Sequence, residues 1–87
     1  MKVLLRPVAR KYFERMSESD KGHVRSALKR LEKEPPEGDI KPMTGKAGYF
    51  RLRVGKYRAL YRIEAGAVLV MNIDPRGQAY KKDRGKK

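Results

Sequence analysis

The residues best suited to chemistry in this sequence are arginines on two neighbouring predicted strands. Residues 49–54, Tyr-Phe-Arg-Leu-Arg-Val, alternate between polar and apolar types, which predicts a strand with one buried face. Residues 57–63 form a second such strand. The Gly55-Lys56 pair between them suits a type II′ hairpin turn, which places glycine first.

A two-residue turn fixes the register of the hairpin, and the register decides which side chains are neighbours. It predicts Arg53 opposite Arg58 and Arg51 opposite Leu60, with Arg62 on the same face. Like charges directly opposite one another destabilise a sheet. Because the sequence has no acid between Asp39 and Glu64, we expect an unneutralised cluster and therefore an anion site. An ordinary solvated sheet face is the alternative.

Guanidinium groups bind phosphate oxygens in pairs and stabilise the charge of a pentacoordinate phosphorus, so the cluster suits a phosphodiester. In RNA the 2′-OH can attack the adjacent phosphate, so neither a metal nor a protein nucleophile is needed. Arginine is a poor proton carrier, which leaves Tyr80, Lys46 and Lys56 for proton transfer. Tyr80, close to Arg76, is either a platform for a base or a packing aromatic.

Several other chemistries are excluded by residue type. The chain has no cysteine and one histidine, so it lacks a thiolate nucleophile, a cysteine zinc site and the Ser-His arrangement. No metal-ligand spacing and no phosphate-binding glycine loop occurs, so we expect no cofactor and no metal. His23 is interpreted as a surface residue of a helix.

The elements that must position the arginines belong to a chain of 87 residues, a length that suits a single small domain. The order is predicted as β-α-α-β-β-β, an α+β fold in which an N-terminal helical hairpin packs on one face of an antiparallel sheet. The strands are predicted at 1–5, 49–54, 57–63 and 67–71, and the helices at 7–16 and from Ser17 or Ser19 to Pro35. Residues 1–80 are predicted to be the domain, and 81–87 a charged tail that does not pack.

The net charge of +13 indicates a polyanionic partner. Residues 1–40 hold 10 basic and 7 acidic groups, whereas residues 41–87 hold 13 basic and 3 acidic groups, so the excess lies in the second half. No apolar run is long enough to span a membrane and no signal-peptide pattern opens the chain, so we expect a cytoplasmic protein without a membrane partner.

The segment 49–61, Tyr-Phe-Arg-Leu-Arg-Val-Gly-Lys-Tyr-Arg-Ala-Leu-Tyr, and the segment 75–80, Pro-Arg-Gly-Gln-Ala-Tyr, resemble the RelE/ParE toxin superfamily. The similarity covers nearly the whole chain and is strongest to the RelE branch, including its archaeal members. It implies the toxin of a type II toxin–antitoxin system, a ribosome-dependent mRNA endoribonuclease that cuts in the A site. Its implied partners are a cognate antitoxin, the ribosome and mRNA.

The resemblance also implies roles for individual residues. The catalytic positions of the RelE branch correspond to Arg51, Arg53, Arg58, Arg76 and Tyr80. Further RNA contacts are expected from Lys46, Lys56, Arg62, Lys81 and Lys82. Well-known bacterial members carry lysines at the first two positions and use one as general base. Arginine there keeps the charge but not the proton-acceptor role.

Two other functions remain open at this point. The ParE branch shares the fold, lacks this catalytic set and inhibits gyrase. Charge alone is also typical of a non-catalytic RNA- or DNA-binding module, whose affinity falls linearly with the logarithm of the salt concentration. Arg58, Arg76 and Tyr80 together favour the RelE branch.

Overall fold

The structure, a computed structural model, describes residues 1–75. It consists of two helices followed by strands that complete a five-stranded sheet, which confirms the predicted α+β fold. The elements are β1 Lys2–Leu5, α1 Pro7–Glu14, α2 Glu18–Arg30, β2 Asp39–Pro42, β3 Tyr49–Val54, β4 Tyr57–Glu64 and β5 Ala67–Pro75. The predicted domain end at residue 80 and the predicted tail 81–87 lie outside the described residues.

The helical hairpin follows the capping signals of the sequence. Pro7 opens α1, where the missing N–H of proline costs nothing. Ser17 is the N-cap of α2, and its Oγ accepts a hydrogen bond from the Asp20 amide at 3.1 Å. Within residues 1–75, no helix has the length and apolar character needed to cross a bilayer.

The sheet differs from the prediction in two ways. Its order is β1-β5-β4-β3-β2, and β2 was not predicted. This strand has only four residues, which is too short for a clear alternating pattern. It also ends in Pro42, a residue that sheets tolerate mainly at their edges. β1 pairs with β5 in parallel, whereas every other pairing is antiparallel.

The last strand is also longer than predicted. Residues 72–75 were expected to leave the sheet, but they continue β5 as far as Pro75 and pair with residues 57–60. A register shift at Leu60/Tyr61 separates this part of the ladder from the pairing of Tyr61 with Val70. A bulge of this kind bends the strands and lets the pairing extend past a break in the apolar pattern.

The core lies between the helices and one face of the sheet. Leu52, Ala59 and Tyr61 are at most 2% exposed, and they meet Val24 and Leu31 of the helical layer. The continuous apolar run at 67–71 predicted a strand covered on both faces. Within residues 1–75 only one face is covered, because Leu69 is half-buried and Leu4 of the adjacent strand is 47% exposed.

Two tight turns set the pairing of the last three strands. Gly55 has a φ of 57° in the β3–β4 turn and Lys56 does not have a positive φ, as the predicted type II′ turn requires. In the β4–β5 turn, Ala65 has a φ of 53° and Gly66 a φ of 76°. Ala65 therefore carries a left-handed conformation that disfavours any residue with a Cβ.

Replacing Ala65 by glycine is expected to raise the free energy of unfolding by about 0.5 kcal/mol, since relief of the left-handed strain outweighs the entropy that glycine adds to the unfolded chain. The matched change, Gly66→Ala, introduces the same strain at the next position. It should lower the free energy of unfolding by about 1 kcal/mol. Urea unfolding followed by circular dichroism measures both. A loss of stability in Ala65→Gly would contradict this account of the turn.

Candidate nucleic-acid interface

The face of the sheet opposite the helices carries the predicted arginines. The observed register pairs Arg53 with Arg58 and Arg51 with Leu60, as predicted, and it pairs Arg62 with Tyr49. The two-residue turn thus places four arginines on one side of two strands. We call these residues, Arg51, Arg53, Arg58 and Arg62, the arginine face.

The expectation that no acid lies near this cluster was wrong. Asp39 Oδ2 is 3.3 Å from Arg53 Nε, and Glu64 Oε1 is 2.6 Å from Arg62 Nη2. Asp74 lies directly opposite Arg58 in the β4–β5 ladder. The acids escaped prediction because β2 was not predicted and because β5 was expected to end before Asp74.

These ion pairs leave the arginine face able to bind an anion. The Arg53–Asp39 pair is exposed on both sides, at 41% and 50%, and exposed pairs contribute only about 0–1 kcal/mol each. Arg62 is 35% exposed and its partner Glu64 57%. The four arginines and Lys41 of β2 face three acids, so the surface keeps an excess of two positive charges. A phosphate can therefore compete with the carboxylates for the guanidinium groups.

Arg51 occupies the middle of the arginine face and has the clearest capacity for a ligand. Its neighbours in register are Lys41 on β2 and Leu60 on β4, so no acid stands opposite it. Its Nε is buried and has no hydrogen-bond partner among the described residues. A buried donor without a partner costs stability in the free protein. Because the Nε itself has no accessible surface, an anion would be held by the other end of the guanidinium, on a side chain that is only half-buried.

Tyr49 connects two residues of the predicted RNA-binding set. Lys46 Nζ lies 5.1 Å from the centre of its ring, and Arg62 Cζ lies 5.8 Å from it. Arg62 Nη1 also donates to the Tyr49 hydroxyl at 3.4 Å. The Glu64 carboxylate raises the pKa of Arg62, and Tyr49 adds to the effect. The alternation of 49–54 already placed this tyrosine on the face, but sequence reasoning missed it as a site residue because nothing indicated that Lys46 folds back over it.

Lys56 lies apart from the arginine face. Its Nζ is 3.8 Å from Asp20 Oδ2 of α2 and 5.5 Å from the centre of the Tyr57 ring, so it belongs to the helical side. The remaining predicted site residues, Arg76, Tyr80, Lys81 and Lys82, lie outside the described residues. Among residues 1–75, no group of His, Cys, Asp and Glu is arranged to hold a metal ion.

This chain is therefore a small cationic α+β domain, with a helical hairpin on one face of the sheet and arginines on the other. The family model described as "ParE toxin of type II toxin-antitoxin system, parDE" matches residues 3–80. The chain therefore belongs to this family, and it is the toxin of a type II toxin–antitoxin system. The resemblance to the RelE/ParE superfamily is confirmed.

Solved structures of RelE toxins share the fold. A chain of the toxin–antitoxin complex RelBE2 from Mycobacterium tuberculosis is 27% identical, with a TM-score of 0.72 and coverage of 86% of this chain and 96% of that one. The RelB–RelE complex from Methanococcus jannaschii matches at 17% identity and a TM-score of 0.73, covering 91% and 96%. The isolated E. coli RelE toxin matches at 14% identity with a TM-score of 0.74, and the match covers 98% of this chain and 96% of that one. A search of curated proteins by sequence gives no significant match.

The hydrogen bond from the Tyr57 hydroxyl to Asp20 Oδ2, 2.6 Å long, joins the β3–β4 turn to α2 and gives a prediction about alkaline stability. The bond, aided by burial, raises the pKa of Tyr57 from 10.0 to about 12. The proton therefore stabilises the folded state fully below pH 10, and this contribution is lost as the pH rises from 10 to 12.

Tyr57→Phe is expected to lower the free energy of unfolding by about 1 kcal/mol at neutral pH and to flatten its fall above pH 10. Part of the fall remains, because burial also raises the pKa of Tyr12 and Tyr61. Urea unfolding at pH 7, 10 and 11.5 measures the difference. Tyr49→Phe, on the other face, keeps the bond and serves as the control; an equal flattening in both variants would refute the assignment.

Proposed function

We propose that this toxin is a ribosome-dependent endoribonuclease that cleaves mRNA in the A site and so inhibits translation. The observation that carries the proposal is the arginine face, in which the register of one hairpin places four arginines on the side of the sheet opposite the helices. Planar guanidinium forks at this density fit the charge and shape of a phosphodiester in RNA. The excess of basic residues in the second half of the chain would draw the protein to ribosomal RNA.

The proposed reaction uses the 2′-OH of the substrate as nucleophile. The 2′ oxygen forms a bond to the adjacent phosphorus as the bond from phosphorus to the 5′ oxygen breaks, which leaves a 2′,3′-cyclic phosphate and a 5′-OH. One proton leaves the 2′-OH and one is given to the departing 5′ oxygen. The protein supplies orientation and positive charge around the phosphorus, and the ribosome supplies further positioning.

In this proposal Arg51 and Arg58 bind the scissile phosphate and stabilise its extra charge. Arg51 has no acid opposite it on either neighbouring strand, and Arg58 is half-buried between β3 and β5. Arg53 binds the phosphate after exchange with Asp39, and Arg76 completes the set. Arginine holds its proton throughout the working pH range, so proton transfer is assigned to Tyr80.

The remaining basic residues would guide the RNA strand. Lys46 and Arg62 both lie close to the Tyr49 ring at one end of the arginine face, where they can bind flanking phosphates. Lys81 and Lys82 extend the positive charge along the sequence beyond Tyr80. Lys56 is on the helical side of the turn, so we leave it out of the cleavage pocket.

A cognate antitoxin is the proposed inhibitory partner. Structures similar to this chain include complexes of RelE toxins with their antitoxins from M. jannaschii and M. tuberculosis. The same face of the sheet also carries apolar side chains on β1 and β5, among them Leu4 and Leu69, which are exposed and half-buried within residues 1–75. An amphipathic antitoxin segment with acidic residues could bury these and neutralise the arginines beside them.

Inhibition of gyrase, the activity expected of the ParE branch, is the second candidate. The family model that matches residues 3–80 carries the ParE name, which favours it. The two candidates make different demands on the arginine face, because only cleavage requires guanidinium groups around one phosphorus. They therefore separate when single arginines are removed and both targets are assayed.

Arg51→Gln and Arg58→Gln are each expected to reduce mRNA cleavage by about 10²- to 10³-fold, as is usual when one transition-state donor is lost. Cleavage is measured by mapping mRNA 5′ ends in a translation extract after addition of purified toxin. Lys11→Gln removes the same charge from exposed α1 on the far side of the sheet and should change the rate less than twofold.

The outcomes separate the candidates. Cuts within codons that disappear in Arg51→Gln and in the double variant R58A/R76A support the nuclease. Undiminished cleavage in the double variant would refute the assigned site. DNA breaks and gyrase inhibition without mRNA cuts would establish the ParE-type activity, and salt-dependent RNA binding without either effect would leave a non-catalytic module.

A further inference from the structure

A cleft of about 710 Å³ lies on the helical side of the molecule, between α2 and the β3–β4 turn. One wall is a stripe of α2 at helical spacing that includes Asp20, His23, Ser26 and Arg30. The other wall is formed by residues 53–57. This volume falls within the range of about 300–1,000 Å³ that is typical of small-molecule sites.

Three basic residues from three elements line the cleft, although the strand register places the side chain of one of them, Arg53, on the arginine face. Arg30 comes from the last turn of α2, Arg53 from β3 and Lys56 from the turn. Arg53 and Lys56 each have an acidic neighbour, Asp39 at 3.3 Å and Asp20 at 3.8 Å. Arg30 has no side-chain ion pair or hydrogen bond within residues 1–75. One guanidinium is therefore available without breaking any contact in this part of the chain.

The cleft also contains one carboxylate, Asp20, whose position limits the type of ligand. The Tyr57 hydroxyl and the Lys56 ammonium both contact its Oδ2, so Oδ1 keeps its capacity to accept hydrogen bonds. A carboxylate beside phosphate-binding groups is the arrangement by which proteins bind the hydroxyl groups of a ribose. Ser26 adds a hydroxyl, and the exposed His23 ring adds a flat surface for a base.

We propose that this cleft binds a ribonucleotide, with its phosphate on Arg30 and Lys56 and its ribose hydroxyls on Asp20. The ligand is either a free mononucleotide or one nucleotide of an RNA strand, since both present the same phosphate and ribose. An acidic peptide fits less well, because its carboxylates would be repelled by Asp20 and would leave Oδ1 without a donor. The cleft shares only Arg53 with the arginine face, and the proposal does not depend on mRNA cleavage by this chain.

The test is a titration of the isolated, full-length, ¹⁵N-labelled protein with adenosine 5′-monophosphate at fixed salt, followed by amide chemical shifts. We expect the largest shifts in the cleft walls, at 20–30 and 53–57. Arg30→Gln should weaken binding about tenfold through loss of a charge-assisted contact. Lys29→Gln removes the same charge from the same helical turn but lies outside the cleft, and it should weaken binding less than twofold.

Two further ligands test the ribose and identify the source of the nucleotide. The 2′-deoxy form should bind severalfold more weakly if Asp20 recognises the hydroxyl groups, which tests Asp20 without mutating it. A single-stranded RNA hexamer that shifts the cleft when the mononucleotide does not would assign the site to an RNA strand; binding of the mononucleotide alone would assign it to a free nucleotide.

Three results would overturn the proposal. Equal weakening by Arg30→Gln and Lys29→Gln would show that binding reflects net charge only. Shifts confined to Arg51, Arg58 and Arg62 for both ligands would show that no nucleotide binds in the cleft. Equal affinity for the ribose and deoxyribose forms would remove Asp20 from the site. Loss of mRNA cleavage is not measured in any of these titrations, so their failure is separate from failure of the nuclease proposal.

Discussion

The cross-strand register of the β3–β4 hairpin is the constraint on which the rest of the molecule depends. The Gly55-Lys56 turn sets it, and one register places Leu52 opposite Ala59 in the core and Arg53 opposite Arg58 outside. A slip by one residue would bury the arginines under the helices and expose the apolar side chains. The hydrophobic core and the arginine face therefore enforce each other, since neither can change sides alone.

The arginine face shows how a sheet tolerates like charges on neighbouring strands. Arginines directly opposite each other are unfavourable, yet Asp39 on one flanking strand and Asp74 on the other lie next to Arg53 and Arg58. These acids lower the repulsion in the free protein. Because the Arg53–Asp39 pair is exposed, it is weak enough to be replaced by phosphate. Neutralisation by exposed acids thus stabilises the free toxin without blocking a polyanion.

The sequence predicted the features that depend on residues close together in the chain and missed those that depend on distant segments. The hairpin and the buried face depend on neighbours close in the chain and were predicted correctly. The helix cap is also local, and Ser17 is one of the two serines predicted for it. The edge strand β2 and the parallel pairing of β1 with β5 depend on distant segments with little local signal. The ion pair between Asp39 and Arg53 was missed for this reason, since Asp39 lies next to Arg53 only because β2 pairs with β3. The cleft joins α2 to the turn and was invisible for the same reason.

Arginine instead of lysine at positions 51 and 53 separates phosphate binding from proton transfer, two tasks that a lysine can combine. A lysine beside a phosphate can bind it and, once deprotonated by its surroundings, accept a proton. Arg51 and Arg53 can bind and stabilise charge but cannot exchange protons at neutral pH. If the protein cleaves RNA, the phosphate site and the proton carrier must then be different residues. Phosphate binding by the arginine face would persist even where catalysis had been lost, so affinity for RNA is a poor guide to activity in this chain, and cleavage has to be measured directly.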